Sequence, residues 1–319
     1  MTAVDTVSEE FDTSEPTAIS SELTIVGKRG IASSRAGRIA LHVFLIAIAL
    51  LWLVPIVAAF YSSFRFFETD TNVKGVFSMP ETLTLENYRR AWSVGNIGNH
   101  FWKTTFIVVP SLFFILLFSS MVAFACTRFS WRFNILFLVL FTAGNLMPQQ
   151  VIFQPLFQIY KRIPLPDLLS DTNTGTLLGT KIGVILIHIA FQTGFCTFVL
   201  SNYMKTIPKE LSEAAAVDGA SVPRQFFQVI LPLTRPALAA LGVLQFTWLY
   251  NDFFWGAVLL NQGAERPITS SIAILNGQYA SNYNLIAAAS IMIALPTLIV
   301  YLILQRQFIS GLTLGANKG

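Results

Sequence analysis

The sequence predicts an all-α membrane protein that crosses a bilayer six times. Apolar residues make up 54% of the 319 residues, only 12% are charged, and the mean hydropathy is +0.60. A soluble domain carries about a quarter charged residues, so this composition is typical of a chain that lies mostly in lipid. Six apolar runs approach the roughly 20 residues that a helical span needs, and lipid requires them to be helices because it offers the backbone no hydrogen-bond partners. They cover approximately residues 39–60, 105–125, 135–157, 182–200, 237–260 and 285–304.

Residues 1–37 are predicted to form a disordered cytoplasmic tail ahead of one transmembrane domain, residues 38–319. The tail is polar, rich in Ser and Thr, and too poor in apolar residues to form a packed core. No apolar segment follows Met1 closely enough to be the core of a signal peptide. An even number of spans places both termini on one side. Twelve of the 21 Lys and Arg residues fall on that side and nine on the other, which favours cytoplasmic termini.

Several classes of function find no support in the sequence. The net charge of +4 is small and dispersed, so no nucleic-acid partner is predicted. The chain contains no G-x-x-x-x-G-K-[ST], H-E-x-x-H or G-x-S-x-G motif. The two cysteines and three histidines lie far apart, without the spacing of metal ligands: Cys126, Cys196, His42, His100 and His188. We therefore predict no catalytic, metal-binding or cofactor-binding residues in this chain.

A short polar segment between the first two spans, residues 84–92, is predicted to form an amphipathic helix at the membrane surface. Its sequence TLENYRRAW mixes aromatic and basic residues, which suit the layer of lipid headgroups.

The third apolar run is predicted to be kinked near the middle of the membrane. Pro148 has no N–H to donate to the carbonyl of Gly144, and Pro155 follows one residue after Gln154. Polar side chains inside a membrane helix usually face the interior of a bundle. We expect this of the amides around Pro148, which either hydrogen-bond neighbouring helices or line a pathway for a solute: Asn145, Gln149, Gln150 and Gln154.

The fifth run contains the polar and aromatic segment WLYNDFFW, residues 248–255. An ionised Asp at the centre of a membrane helix costs about 2.5–3.5 kcal/mol on insertion scales, so Asp252 is expected to face water or a partner group. One interpretation is a belt of aromatic residues at the interface, with Asp252 reaching headgroups or capping a loop. The other is a solute pathway, in which Asn251 and Asp252 hydrogen-bond sugar hydroxyls and the ring of Trp248 or Tyr250 stacks on the sugar.

The segment 208–236, PKELSEAAAVDGASVPRQFFQVILPLTRP, is predicted to form two short helices joined by a tight turn. Pro208 suits a first helical turn, and the run of alanines that follows favours helix. Gly219 is expected to stop this helix in a left-handed conformation. Ser221 can cap a second helix, which carries Phe226, Phe227 and Ile230 on one side and ends at Pro232 and Pro236. Shape alone fits an ordinary connector between two spans.

The same segment resembles the EAA loop of binding-protein-dependent ABC importer permeases. That pattern is E-A-A, three residues, G, nine residues, I, one residue, L-P. Here its positions are occupied by Glu213-Ala214-Ala215, Gly219, Val229 and Leu231-Pro232. Three further segments resemble the carbohydrate permeases of this family, of the maltose and glycerol-phosphate type: the surface helix 84–92, the W-N-D-F segment with Tyr250 in place of Trp, and the C-terminal QRQFISGLT with its final K-G.

The resemblance implies a type I ABC importer permease fold with a cytoplasmic coupling helix that inserts into a cleft of an ATP-binding subunit. Its contact and turn positions are Glu213, Ala214, Ala215, Asp218 and Gly219. It also implies four further subunits: a homologous second permease, two ATP-binding subunits that carry ATP and Mg²⁺, and an extracytoplasmic sugar-binding protein. The expected location is the bacterial cytoplasmic (inner) membrane.

Three alternatives stay open at this point. The same machine can carry another solute, such as an amino acid or a polyamine. An integral membrane enzyme would need a cluster of His or carboxylate groups at one depth, and Asp252 is the single acid within the predicted spans. A membrane scaffold would have little use for kinked spans with polar groups. The identity of a transported sugar is left open by the sequence.

Overall fold

A computed structural model describes residues 35–65, 78–79, 82–129, 132–170, 175–260, 266–270, 272, 275 and 282–313 of the chain. Most of the predicted tail, residues 1–34, and the last six residues lie outside this part, as do the side chains of residues 306–313. The chain divides into two units, Met1–Ala58 and Ala59–Gly319. The regular secondary structure of the described residues is helical, apart from one isolated antiparallel bridge between Pro164 and Thr176.

Eleven helices are numbered here in chain order. They are α1 Arg35–Ser63, α2 Glu86–Val94, α3 Ile97–Arg128, α4 Asn134–Ala143, α5 Gln149–Arg162, α6 Lys181–Met204, α7 Glu210–Val217, α8 Val222–Leu233, α9 Arg235–Tyr250, α10 Phe254–Leu259 and α11 Tyr283–Thr313. Within α8, residues Gln225–Ile230 form a π-helix. Two short 3₁₀ turns, Gly144–Leu146 and Asp167–Leu169, follow α4 and α5.

Among the described residues, four helices are long and apolar enough to cross a membrane: α1, α3, α6 and α11. A fifth crossing is possible if α8 and α9, which meet at an angle of 74°, are counted as one broken span. The third predicted span is divided into α4 and α5, and the count of six spans stays a prediction.

The predicted kink in the third span is a complete break. Helix α4 ends at Ala143, the 3₁₀ turn Gly144–Leu146 follows, and α5 begins at Gln149. Pro148 has φ −58° and ψ 130°, an extended conformation directly before the first residue of α5. The missing N–H of Pro148 explains why the α-helical hydrogen bonds stop here. Pro155 lies inside α5.

The predicted fifth span is also interrupted. Helix α9 ends at Tyr250, residues Asn251 to Phe253 are not helical, and α10 begins at Phe254. The polar pair Asn251 and Asp252 therefore lies at a break between helices and not within one.

The core of the second unit forms where α3, α6, α9 and α11 pack together. Its fully buried side chains include Ile115 of α3, Leu200 and Met204 of α6, and Ile230 of α8. A second, smaller cluster surrounds Trp255, which is 1% exposed. Burial of this apolar surface holds helices that are distant in sequence in fixed relative positions.

The predicted surface helix 84–92 is present as α2, and one side of it is packed against the protein. Ala91 is completely buried, and the side-chain amide of Asn87 donates hydrogen bonds to the carbonyls of Ser63 (2.9 Å) and Arg65 (2.8 Å). Trp92 is exposed on the other side. One face of α2 is thus packed against the protein, and the other face, which carries Trp92, is exposed.

Candidate functional site

The segment 208–236, which we name the knob, contains the predicted turn at Gly219. This residue has φ +79°, in the left-handed region, which confirms the sequence prediction. The N–H of Ala220 donates to the carbonyl of Ala215 (2.9 Å), and the N–H of Gly219 donates to that of Ala216 (3.0 Å). These two bonds form a Schellman motif, the common helix ending that requires a left-handed residue at the position of Gly219.

Helix α8 differs from the prediction in two respects. The helix begins after Ser221, as predicted, but the Ser221 side chain makes no capping hydrogen bond. It also continues through Pro232 to Leu233, because a proline in the first turn of the short α-helical stretch Leu231–Leu233 costs no internal bond. Of the predicted apolar face, Phe226 and Ile230 are buried and Phe227 is 53% exposed.

Most of the EAA positions lie on the exposed surface of the knob. Glu213, Ala214, Asp218 and Gly219 are exposed, and Ala215 is partly buried. The adjacent Val217 is 87% exposed, an unusual position for an apolar side chain in a polar segment. Ser212 of the same helix is buried, so α7 has one inner and one outer face.

At some distance along the chain from the knob, a cavity of about 690 Å³ brings together the two polar segments singled out in the sequence. Asn145 and Gln149 reach it from the break between α4 and α5. Trp248, Asn251 and Asp252 reach it from the end of α9. Helix α6 contributes a third wall. The remaining lining residues are Thr142, Met147, His188, Phe191, Gln192, Phe195, Thr247 and Leu249.

The wall from α9 combines an aromatic ring with an amide. The Trp248 ring packs on that of Phe195, with centroids 5.7 Å apart and planes inclined by 35°, and it stays 49% exposed. The Asn251 amide donates to the carbonyl of Thr247 (2.8 Å) and, at 3.5 Å, to the hydroxyl of Thr297 on α11. The amide is held in place by these bonds, and Asn251 remains exposed.

Asp252 has a structural role at the break between α9 and α10. Its Oδ2 accepts hydrogen bonds from the backbone N–H groups of Trp255 (3.1 Å) and Gly256 (3.3 Å). Unpaired N–H groups of a first helical turn are commonly satisfied by a carboxylate in this way. Asp252 therefore caps α10 and also lines the cavity, and its part in a solute pathway stays a prediction.

Three of the residues predicted as candidates for the pathway do not line the cavity. Tyr250 is 2% exposed, stacks on Phe246 at 5.6 Å, and has a hydroxyl with no partner among the described residues. Gln150 and Gln154 are exposed and are not among the lining residues.

Sequence reasoning missed the contribution of α6. His188 and Gln192 are four residues apart and so lie on one helix face, as are Phe191 and Phe195. This polar and aromatic spacing within an apolar helix is a usable signal, which a search for metal-ligand spacing does not detect. Within the described ranges no group of three or more His, Cys, Asp or Glu side chains could hold a metal ion.

Two curated proteins with similar sequences are permeases. A diacetylchitobiose uptake system permease of Streptomyces coelicolor is 30% identical over 87% of this chain and 88% of its own length. An arabinooligosaccharides transport system permease of Halalkalibacterium halodurans is 31% identical over 85% of this chain and 93% of its own.

A bacterial ABC transporter involved in alginate import, known from a crystal structure, contains a chain with the same fold. The TM-score is 0.70 at 24% identity, with 86% of this chain and 98% of that one covered. Residues 115–310 match the family model described as the inner membrane component of binding-protein-dependent transport systems, and the sequence relatives agree with it. The chain belongs to this family of multi-pass inner membrane permeases.

Proposed function

We propose that this chain is the permease subunit of an ATP-driven importer of mono- or oligosaccharides, and that it forms half of the pathway for the sugar. The observation that carries the proposal is the cavity shared by α4, α5, α6 and α9. Sequence relatives named for diacetylchitobiose and arabinooligosaccharides, at 30–31% identity over most of both chains, support the class of solute.

The lining of the cavity suits an uncharged polyol. Amide and hydroxyl groups can exchange hydrogen bonds with sugar hydroxyls, and an exposed indole such as Trp248 can pack against the C–H face of a sugar ring. An amino acid would call for a cation beside its carboxylate, and the lining residues include no Lys or Arg. A polyamine would call for several free carboxylates, whereas Oδ2 of the one acid, Asp252, is already bonded to two N–H groups. These groups favour a sugar.

The other subunits of the importer follow from the same proposal. ATP and Mg²⁺ bind to separate subunits, two per importer, and this chain hydrolyses nothing and holds no cofactor. One ATP-binding subunit docks on the exposed face of the knob around Ala214, so the knob and both termini are cytoplasmic. A homologous permease completes the pathway, and an extracytoplasmic binding protein delivers the sugar.

Uptake by the reconstituted importer tests this proposal. Vesicles would contain this chain with the permease, ATPase and binding protein encoded beside it, and uptake of labelled neutral oligosaccharides, amino acids and polyamines would be compared. We expect ATP-dependent uptake of an oligosaccharide, lost when the ATPase is omitted. Uptake of an amino acid or a polyamine only, or uptake that persists without the ATPase, would refute the proposal.

A further inference from the structure

The last residue of α3, Arg128, reaches across to the segment that leads into the knob. Its guanidinium donates hydrogen bonds to three backbone carbonyls, those of Ile207 (3.1 Å), Met204 (3.3 Å) and Pro208 (3.5 Å). Met204 is the last residue of α6, and Pro208 is the first residue of the knob. One side chain therefore joins the ends of α3 and α6 to the start of the knob.

Of the three carbonyls, that of Met204 belongs to the last turn of α6, where the negative end of the helix dipole favours a cation. It also accepts the backbone N–H of Ile207 (3.2 Å), whereas the carbonyls of Ile207 and Pro208 lie in the non-helical link between α6 and α7. A planar guanidinium can donate in several fixed directions, whereas a lysine ammonium is a compact point charge. Two guanidinium nitrogens reach three carbonyls here, so the geometry suits an arginine better than a lysine.

The knob has two arms, α7 and α8. A second contact joins the same end of α3 to the second arm, α8. The rings of Phe124 and Phe226, in α3 and α8, have centroids 5.3 Å apart, and each residue is 4% exposed. Helix α3 therefore holds the knob at both of its arms, by hydrogen bonds on one side and by a buried aromatic pair on the other.

We propose that Arg128 is a positioning residue that makes α3 and α6 move together with the knob. This inference rests on the proposed function, since it assumes that an ATP-binding subunit moves the knob. Helix α6 carries His188 and Gln192 into the cavity wall, so a displacement that reaches its knob end is transmitted along a rigid helix to the cavity. Without Arg128 the Phe124–Phe226 pair still joins α8 to α3, but the start of the knob can shift relative to the ends of α3 and α6.

The test compares Arg128→Met, Arg128→Lys and the control Arg132→Met in the complete reconstituted importer. Arg132 lies four residues beyond Arg128 and contacts the ring of Phe133. We measure solute transported per ATP hydrolysed, normalised to assembled complex. For Arg128→Met we expect this ratio to fall roughly threefold to thirtyfold, the range for residues that modulate coupling without touching either ligand. Arg128→Lys should restore part of it, and Arg132→Met should leave it unchanged.

A merely structural role would lower the amount of complex and leave the ratio per complex as in the wild type, and that result would overturn the proposal. Hydrogen exchange on the purified full chain gives a readout that needs no ATPase. Amides of residues 204–217 should exchange faster in Arg128→Met than in Arg132→Met. If the wild type assembles with no ATPase, the proposed function fails, while the exchange result still decides whether Arg128 holds the knob. Equal exchange in both variants would refute that role.

Discussion

The imidazole Nε2 of His188 lies 3.8 Å from Oδ2 of Asp252, the same oxygen that accepts the N–H groups of Trp255 and Gly256. This relationship places a residue of α6 directly against the break between α9 and α10. Both side chains line the cavity and are only slightly exposed, 6% for His188 and 14% for Asp252. The break is therefore a fixed part of the cavity wall, shaped by a carboxylate that organises the backbone around it.

Asp252→Ala should destabilise the protein more than Asp252→Asn. Alanine removes the acceptor and leaves two N–H groups of α10 without it, at a cost of about 1 kcal/mol for a lost helix cap. Asparagine keeps an oxygen acceptor at nearly the same place and should retain most of that stability. Thermal unfolding of the purified chain in detergent measures both variants. Equal losses in the two would mean that the charge, and not the cap, matters.

Gly219→Val should disturb the knob, whereas Gly219→Asn should be tolerated. A Cβ at Gly219 would meet no atom within 4 Å, so space does not limit substitution there. The cost comes from the backbone at φ +79°, where a side chain loses roughly 1–2 kcal/mol and Asn loses less than a β-branched residue. Under the proposed function, Gly219→Val also lowers transport per ATP hydrolysed. Unchanged transport and stimulated ATPase activity in Gly219→Val would contradict this expectation.

Cross-linking can establish what contacts the knob. In a chain with Cys126 and Cys196 replaced by serine, Ala214→Cys puts a thiol on the exposed face of α7, and Ser212→Cys puts one on its buried face. We expect Ala214→Cys to cross-link to the ATP-binding subunit and Ser212→Cys to give much less product, because a buried thiol is poorly reactive. Labelling of Ala214→Cys by a membrane-impermeant reagent only from the extracytoplasmic side would reverse the proposed orientation.

The sequence predicted the polar residues of the cavity but not their assembly. Polar side chains within apolar runs are costly in a membrane and are therefore expected to face a bundle interior. This rule singles out Asn145, Gln149, Asn251 and Asp252, but it does not say which helices pack together. Their convergence depends on two helix breaks. Pro148 predicts the break between α4 and α5, whereas no proline or glycine predicts the break after Tyr250.

The knob was predicted more closely, because local chemistry determines it. Gly219 stops α7 through its own backbone freedom, which is visible in the sequence. The sequence predicts nothing for Arg128 beyond its positive charge, one of the twelve on the side of the termini. Its three carbonyl partners lie far along the chain and are brought close by the packing of α3 along α6, which residue patterns do not reveal.

Gly194→Ala should distort the cavity, with Gly242→Ala as the matched control. A Cβ at Gly194 in α6 would overlap the carbonyl oxygen of Phe141 in α4 and lie 2.6 Å from Asn145 Nδ2. Helix α4 would have to move away, and overpacking of this kind costs about 1–3 kcal/mol. At Gly242 in α9 the nearest atom would be Leu116 Cδ1 at an ordinary 3.8 Å, so alanine should be neutral or stabilising by up to about 1 kcal/mol. The test compares the unfolding temperatures of the Gly194→Ala and Gly242→Ala variants. Equal temperatures would refute the close approach of α4 and α6.

Trp248→Ala should impair sugar uptake, whereas Tyr250→Phe should not, although the two residues are neighbours in one aromatic segment. Trp248 is half exposed in the cavity, and loss of an aromatic contact with the sugar costs about 1 kcal/mol, roughly a fivefold rise in the concentration for half-maximal uptake. The Tyr250 hydroxyl is buried without a partner among the described residues, so its removal relieves an unsatisfied group. Uptake by vesicles with each variant importer, normalised to assembled complex, measures the difference. Similar losses in both would show that the segment acts only through packing, since Tyr250 lies outside the cavity and can influence the sugar only by supporting its wall.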